Sequence, residues 1–275
     1  MRFISYQLGW FSTARGSGSR ALLRTARENI QRGEIDAEIA FVFCSREPGE
    51  SEETDLFLKQ VRSYRIPLVC FSYQKFKAKY GSQVKVGTLP LWRLDYDREV
   101  MKQLDGFYPD MCVLAGYMLV VGSEMCRKFN MINLHPAAPI GPKGTWQEVI
   151  WQLIDGKARE TGVMVHLVTP ELDRGPVVAG CTFAIRGEPF DKLWGRLENL
   201  PESSSEQLGA RTSLFNLIRK HGLVRETPLI ITTIKYFSEG KIKVTTEKQI
   251  VDVQGNLITG YDLTEEIDKQ IERLD

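Results

Sequence analysis

DMCVLAGYMLVVGSEMCRKFNMINLHP, residues 110–136, holds the repeating unit from which most of the chain is built. DMCVLAGYM (110–118) is apolar at nearly every position, without the alternation of a half-solvated strand, so it reads as a strand buried on both faces. SEMCRKF (123–129) offers a short helix, and MINLH a second strand. The dozen residues between the two strands suffice for a crossover, so the pair is expected to run parallel.

The same alternation recurs upstream. LGWFST (8–13) reads as a strand, ARGSGSR (14–20) as a glycine-rich turn and ALLRTARENIQRG (21–33) as a helix. EIAFVFCS (38–45), TDLFLKQVRSYR (54–65), IPLVCFS (66–72) and DREVMKQLDGF (97–107) continue as strand, helix, strand and helix. Such repetition predicts an α/β fold with a mainly parallel sheet and helices on both faces. Downstream, TWQEVIWQLIDG (145–156) is a helix, followed by two apolar segments, GVMVHLVT (162–169) and GPVVAGCTFAIR (175–186). The few residues between those segments leave no room for a crossover, so an antiparallel pair is expected after the MINLH strand. Helices are expected over 189–199 and 205–220.

Beyond residue 222 the composition changes. PLIITTIKYF-SEG-KIKVTT and QIVDV-QGN-LITGY read as two hairpins, and LTEEIDKQIERL as a closing helix. The expected organisation is a catalytic domain over 1–221 and a small β-rich extension over 222–275.

Bulk composition excludes several functions. A net charge of +1 gives no global attraction to nucleic acid or to an anionic membrane. Five scattered cysteines without a C-x-x-C read as reduced, buried thiols, and no apolar run approaches the ~18 residues of a membrane span. Three histidines without metal-ligand spacing make a metal site unexpected. A soluble, cytoplasmic protein is expected, and homodimerisation is compatible with the sequence.

Three stretches could carry chemistry. Gly16, Ser17, Gly18, Ser19 and Arg20 sit where a strand turns into a helix, a place whose free N–H groups attract a phosphate. Gly16, Gly18 and Ala21 also fit a loose dinucleotide fingerprint, but the next strand ends in Ser45-Arg46 without the acid that would hold a ribose. Asn133 and His135 lie two apart in a strand, so both project to one face, with Pro136 fixing the chain behind them. Asn can hold an oxyanion and His can exchange a proton near neutral pH; a hydrogen-bonded pair closing the strand is the alternative. Asp173 follows the GVMVHLVT strand in a turn-forming loop. His166 reads as a satisfied core histidine and His221 as a helix-end residue.

N-L-H-P (133–136) and T-G-V-M-V-H-L-V-x-x-E-L-D-x-G-P-V (161–177) resemble folate-dependent formyltransferases, the glycinamide ribonucleotide branch in particular, over about residues 8–190. The resemblance implies a Rossmann-like sheet, 10-formyltetrahydrofolate as co-substrate and no metal. It also implies a small, phosphorylated amine acceptor, with glycinamide ribonucleotide first. Asn133, His135 and Asp173 fall on the family's catalytic positions, with Asp173 raising the histidine's pKa. Gly16 to Arg20 cover its phosphate turn, Met118, Leu119, Val120 and Val121 its folate-lining stretch, and Arg93 an arginine near the folate; Asn133 also faces the folate.

Departures lie at Arg20, at Leu119, in the stretch 137–147 and in the tail after 222, which is expected to fall outside the family pattern. They leave the acceptor open, with a sugar-nucleotide amine as the alternative. Transfer to initiator methionyl-tRNA fits poorly with an acidic tail. Hydrolysis of the formyl group by water stays open as an alternative, though the regulatory N-terminal domain typical of such hydrolases is not expected before residue 8. Outside this chemistry stand an NADP-dependent oxidoreductase, resting on the glycine turn and Arg46, and a non-catalytic folate- or nucleotide-binding module.

Overall fold

A computed structural model describes residues 5–81, 84–86, 89–201 and 204–273, in two compact units. The first contains the chain up to Asn133, Leu167–Pro176 and Ile234–Leu257; the second contains Leu134–His166, Val177–Thr233 and the chain from Ile258.

The first unit opens with β1 (Tyr6–Ser12), α1 (Ser17–Gln31), β2 (Ala37–Cys44), α2 (Glu52–Ser63), β3 (Leu68–Cys70) and α3 (Tyr73–Tyr80). A two-residue antiparallel pair, β4 (Lys85–Val86) and β5 (Leu89–Pro90), precedes α4 (Leu91–Gln103), β6 (Met111–Leu114), α5 (Ser123–Lys128) and the start of β7 (Met131–His135). Strands lie in the order β3-β2-β1-β6-β7, all parallel, as the alternation predicts. Each face of β1 is filled. Phe11 packs edge-on against Phe41 and Tyr117 at 5.7 Å between centroids, in a cluster with Trp92, Tyr96 and Met125; Leu8 and Trp10, on the other face, are fully buried. Burying such side chains contributes roughly 1.5–3 kcal/mol each.

Helix α4 begins six residues earlier than expected. Its buried residues are Trp92, Arg93, Tyr96, Asp97 and Val100, a helical stripe in which two charged side chains interrupt the apolar signal.

The second unit holds α6 (Trp146–Asp155), β8 (Glu160–Leu167), β9 (Val177–Ala184), α7 (Asp191–Asn199), most of α8 (Ser205–Ser238), β12 (Tyr261–Asp262) and α9 (Thr264–Glu272). β8 and β9 pair antiparallel, as expected, and β12 adds parallel to β9. Helices α6, α7 and α8 bury Val149, Ile150, Trp194, Leu214 and Ile218 together with Phe183 and Ile185. A capping box starts α6: Thr145 Oγ1 accepts from Glu148 N, and the Glu148 carboxylate accepts from Thr145 N at 2.7 Å. Arg225 on α8 holds Asp268 on α9 at 2.8 Å.

The tail corrects one expectation. PLIITTIKYF is not a strand but the last part of α8, in which Leu229, Ile230, Ile231, Thr232, Thr233, Ile234 and Phe237 are all buried. Six buried residues in a row carry no helical period; β-branched residues suit a strand, but burial of the helix on every side outweighs propensity. Thr233 Oγ1 donates back to Leu229 O at 2.8 Å. Residue 222 lies inside α8. Of the two hairpins, what forms is β10 (Lys243–Val244) paired with β11 (Ile250–Val251), in the first unit, and a bridge from Val251 to Leu257. The closing helix is present as α9. Likewise ARGSGSR is not all turn, because α1 already begins at Ser17.

Gly9 has no room for a side chain: a Cβ would stand 2.7 Å from both Cys112 Sγ and the Phe41 ring. Gly9→Ala should cost about 1–3 kcal/mol by overpacking, read as a lower urea midpoint. An unchanged midpoint would show that this face of β1 is loosely packed.

Candidate active site

Strand order reverses at β1, which has β2 on one side and β6 on the other, so the loops leaving β1 and β6 part and open a crevice at their carboxyl ends. One hydroxyl ties the crevice together. Thr13 Oγ1, fully buried, accepts from Ser45 Oγ at 3.0 Å and from Met118 N at 2.9 Å, while Thr13 N donates to Gly116 O. Residues following β1, β2 and β6 are thereby fixed to one atom.

The turn after β1 is bent by Ala14, whose φ of 52° is unusual for a residue with a side chain. Ala14 N donates to Ser12 Oγ, and Ala14 O accepts from Thr54 Oγ1. Gly16 caps α1 without a side-chain acceptor, and the first turn has no acidic residue. The leading N–H groups of α1, with exposed Ser17 and Gly18 and half-buried Ser19, are therefore suited to an anion. Gly116, at φ 69°, lies against this turn: a Cβ there would come within 2.9 Å of Ser19 Oγ. Arg20 is engaged elsewhere, in an ion pair with Glu53 on α2.

The stretch after β6 has anchors along its length. Besides the Met118 bond, Val120 O accepts from Arg93 Nε and Nη2 at 3.1 and 2.8 Å, and Gly122 N donates to Asp97 Oδ2 at 2.7 Å. Met118 keeps its side chain 60% exposed, Leu119 and Val120 are half-buried, and Val121 is buried.

Asn133, in the middle of β7, is half-buried and in register with Leu114 of β6. Two residues on, His135 is 4% exposed and its ring lies 6.2 Å from that of His166, edge to face. The sequence predicts ordinary core for His166. It is fully enclosed, and its place beside His135 could not be read from the alternation of VMVHLV. Behind His135, Pro139 rests on Gly180, where a Cβ would approach to 3.0 Å.

The loop from β8 to β9 explains E-L-D-R-G-P physically. Leu167 N donates to Pro176 O, and a Cβ on Gly175 would fall 1.7 Å from Leu167 O, so only glycine fits. Asp173, half-buried, takes φ 53°, a conformation that a short polar side chain tolerates. Within the first unit, Val168 N donates to Met131 O, which sets the start of this loop beside β7.

Other expectations concern thiols, metals and membranes. All five cysteines are free, and burial pushes the thiols of Cys44 and Cys181 up to about 12 and those of Cys70 and Cys126 up to about 11. Among the described residues no cluster of His, Cys, Asp and Glu could hold a metal ion, and no helix is long and apolar enough to cross a membrane. Arg46, on which the dinucleotide reading rests, gives Nη1 to Ser51 Oγ.

The sequence pattern of the formyl transferase family matches residues 13–188, well over half the chain. The chain belongs to the formyl transferase family. Phosphoribosylglycinamide formyltransferase of Escherichia coli K12 is 27% identical over 168 residues, covering 60% of this chain and 67% of that protein. The same enzyme of Haemophilus influenzae is 24% identical over 248 residues, covering 89% and 95%. Among solved structures, phosphoribosylglycinamide formyltransferase of Coxiella burnetii aligns with a TM-score of 0.60 at 19% identity, over 94% of this chain and 99% of that one. That alignment leaves out 6% of this formyltransferase, far less than the fifth of it beyond residue 222. Most of the tail therefore shares the fold of that structure, while the family's sequence pattern ends at residue 188.

Thr13→Val keeps the shape of the side chain and removes the acceptor for Ser45 and Met118. Leaving those buried donors unpaired should cost roughly 1–3 kcal/mol, with faster hydrogen exchange at the Met118 amide. Native stability with unaltered exchange would show that the hydroxyl does not hold the crevice.

Proposed function

We propose that this formyltransferase moves the formyl group of 10-formyltetrahydrofolate onto a primary amine, with glycinamide ribonucleotide as the acceptor. One observation carries the reading. Asn133 is the last residue of β7 in register with β6, β7 lies two places from β1 in the sheet, and β1 leads into the uncapped start of α1. At the usual strand spacing β7 and β1 lie about 10 Å apart, a separation compatible with an acceptor that has a phosphate at one end and an amine at the other. Gly16, Ser17, Gly18 and Ser19 would hold the phosphate. Arg20, paired with Glu53, would shape the turn rather than add charge to it. Met118 to Val121 would line the folate.

The chemistry is acyl transfer. The acceptor amine attacks the formyl carbon, and the carbonyl electrons move to oxygen. The Asn133 amide and protonated His135 donate to that oxyanion, a stabilisation worth roughly 10²–10³-fold per donor at such sites. Collapse expels N10 of the folate, which must gain a proton as the new amide loses one. His135 is the group to relay it, with Asp173 orienting the imidazole and favouring its charged form. Asn133 and His135, alternating on one strand face, can reach one carbonyl together; Leu134 between them cannot.

Release of tetrahydrofolate from 10-formyltetrahydrofolate, with and without glycinamide ribonucleotide, tests this directly. Wild type should depend on the acceptor. Asn133→Ala should lose about 10²–10³-fold in kcat and His135→Ala about 10²–10⁴-fold. Activity that survives in His135→Ala removes its assigned role. Turnover with a sugar-nucleotide amine, but not with glycinamide ribonucleotide, replaces the acceptor; release without any amine makes the enzyme a hydrolase.

A further inference from the structure

The family resemblance places Arg93 against the folate, and its surroundings argue otherwise. We infer that Arg93 and Asp97 form a buried positioning pair that sets the backbone of residues 118–122, and that neither touches the substrate. The inference rests on the proposal that this stretch lines the folate.

Every part of the guanidinium is spoken for or enclosed. Nη2 lies 2.5 Å from Asp97 Oδ1, and Nε and Nη2 both donate to Val120 O. Nη1 is buried too, without a hydrogen-bond partner among the described residues, and the Arg93 side chain is only 5% exposed, that of Asp97 2%. The rings of Tyr96 and Trp92 lie 5.2 and 5.8 Å from the guanidinium carbon. A folate carboxylate arriving from solvent would have to break this packing before meeting the charge. Asp97 reaches the same backbone from the other side, accepting from Gly122 N with Oδ2 at 2.7 Å. Leu94 and Asp97 also crowd Gly122, where a Cβ would stand 2.7 Å from Leu94 Cδ2 and 2.9 Å from Asp97 Oδ2.

The sequence spacing explains the device. Arg93 and Asp97 are one helical turn apart in α4, on its buried stripe. Burial pushes the Asp97 carboxyl above the ordinary range against the pull of Arg93 and Gly122 N–H; on Arg93 burial pulls downward, and Asp97, Tyr117 and Tyr96 together outweigh it. Two charges are thus held out of water by each other and by two backbone groups of one loop. A buried pair is a poor source of stability compared with apolar packing, so its use here is to fix that loop.

The test compares two donors: 10-formyltetrahydrofolate, and its analogue with both glutamate carboxylates converted to carboxamides. For Arg93→Gln and Asp97→Asn, KM for the donor should rise at least fivefold, kcat should fall less, and KM for the acceptor should stay within twofold. The rise should be equal, within twofold, for the two donors, since no carboxylate contact is lost. Arg93→Lys, which keeps an ion pair, should recover part of it. Because breaking a buried pair can unfold the chain, Arg93→Met/Asp97→Leu provides a well-packed replacement that lacks both backbone contacts. It should fold, show the same KM pattern, and exchange the Gly122 amide at least tenfold faster. A penalty that vanishes with the carboxamide donor would make Arg93 a folate ligand and overturn the inference. Unaltered donor KM or unaltered Gly122 exchange in the double variant would overturn it too. Failure of the wild type to release tetrahydrofolate from either donor would instead remove the folate reading, leaving Gly122 exchange to decide the role of the pair in the loop.

Discussion

A buried hydroxyl on Thr13 joins the carboxyl ends of three strands, and the site depends on that junction. Reversal of strand order at β1 forces the segments after β1 and β6 apart, which creates a crevice but would leave their polar backbone without partners. Thr13 Oγ1 resolves this by accepting from Ser45 on one side and Met118 on the other. The start of α1 and the stretch 118–122 are then positioned relative to a single atom. Within the first unit, Gly116 and Ser19 approach because of it, with a glycine where any Cβ would collide.

Polar groups at the crevice divide by whether they have another partner. Arg20, Arg93 and Asp97 are occupied by ion pairs and backbone contacts, so their charges organise structure. The first N–H groups of α1 have no side-chain cap, and Ser17 and Gly18 are exposed, so the proposed phosphate would find donors there. Charge alone would have suggested the reverse, with arginines as binders and glycines as spacers. For Arg93 burial decides, because a desolvated guanidinium is held by its carboxylate more tightly than a solvent-borne anion could compete for it; Arg20, in a partly exposed pair, is engaged by Glu53.

Much of the sheet could be read from the chain because both faces of its central strands are buried. Runs such as MCVL and FVFC leave no alternation to misread, and the short span between β8 and β9 forces an antiparallel pair. Reading failed where the pattern carries no clear period. LIITTIKYF is rich in β-branched residues and buried at every position from 229 to 234, so the helix it forms carries no 3.6-residue period to read. Arg93 and Asp97 hid the start of α4 because charged residues in a buried stripe look like an exposed face. For the site, Asn133, His135 and Asp173 stood out by residue type and motif. The enclosure of His166 beside His135, and the roles of Thr13 and Asp97, depend on contacts that no spacing records.

The central claim is that the carboxyl end of β7 holds the reacting carbonyl. A crystal structure with a non-transferable 10-formyltetrahydrofolate analogue and glycinamide ribonucleotide measures this most directly. The account predicts the formyl oxygen within hydrogen-bond reach, about 2.6–3.2 Å, of both the Asn133 amide nitrogen and a His135 ring nitrogen, with the phosphate on the first turn of α1. A folate bound away from β7, or an imidazole turned from the formyl group while both substrates are in place, would contradict it.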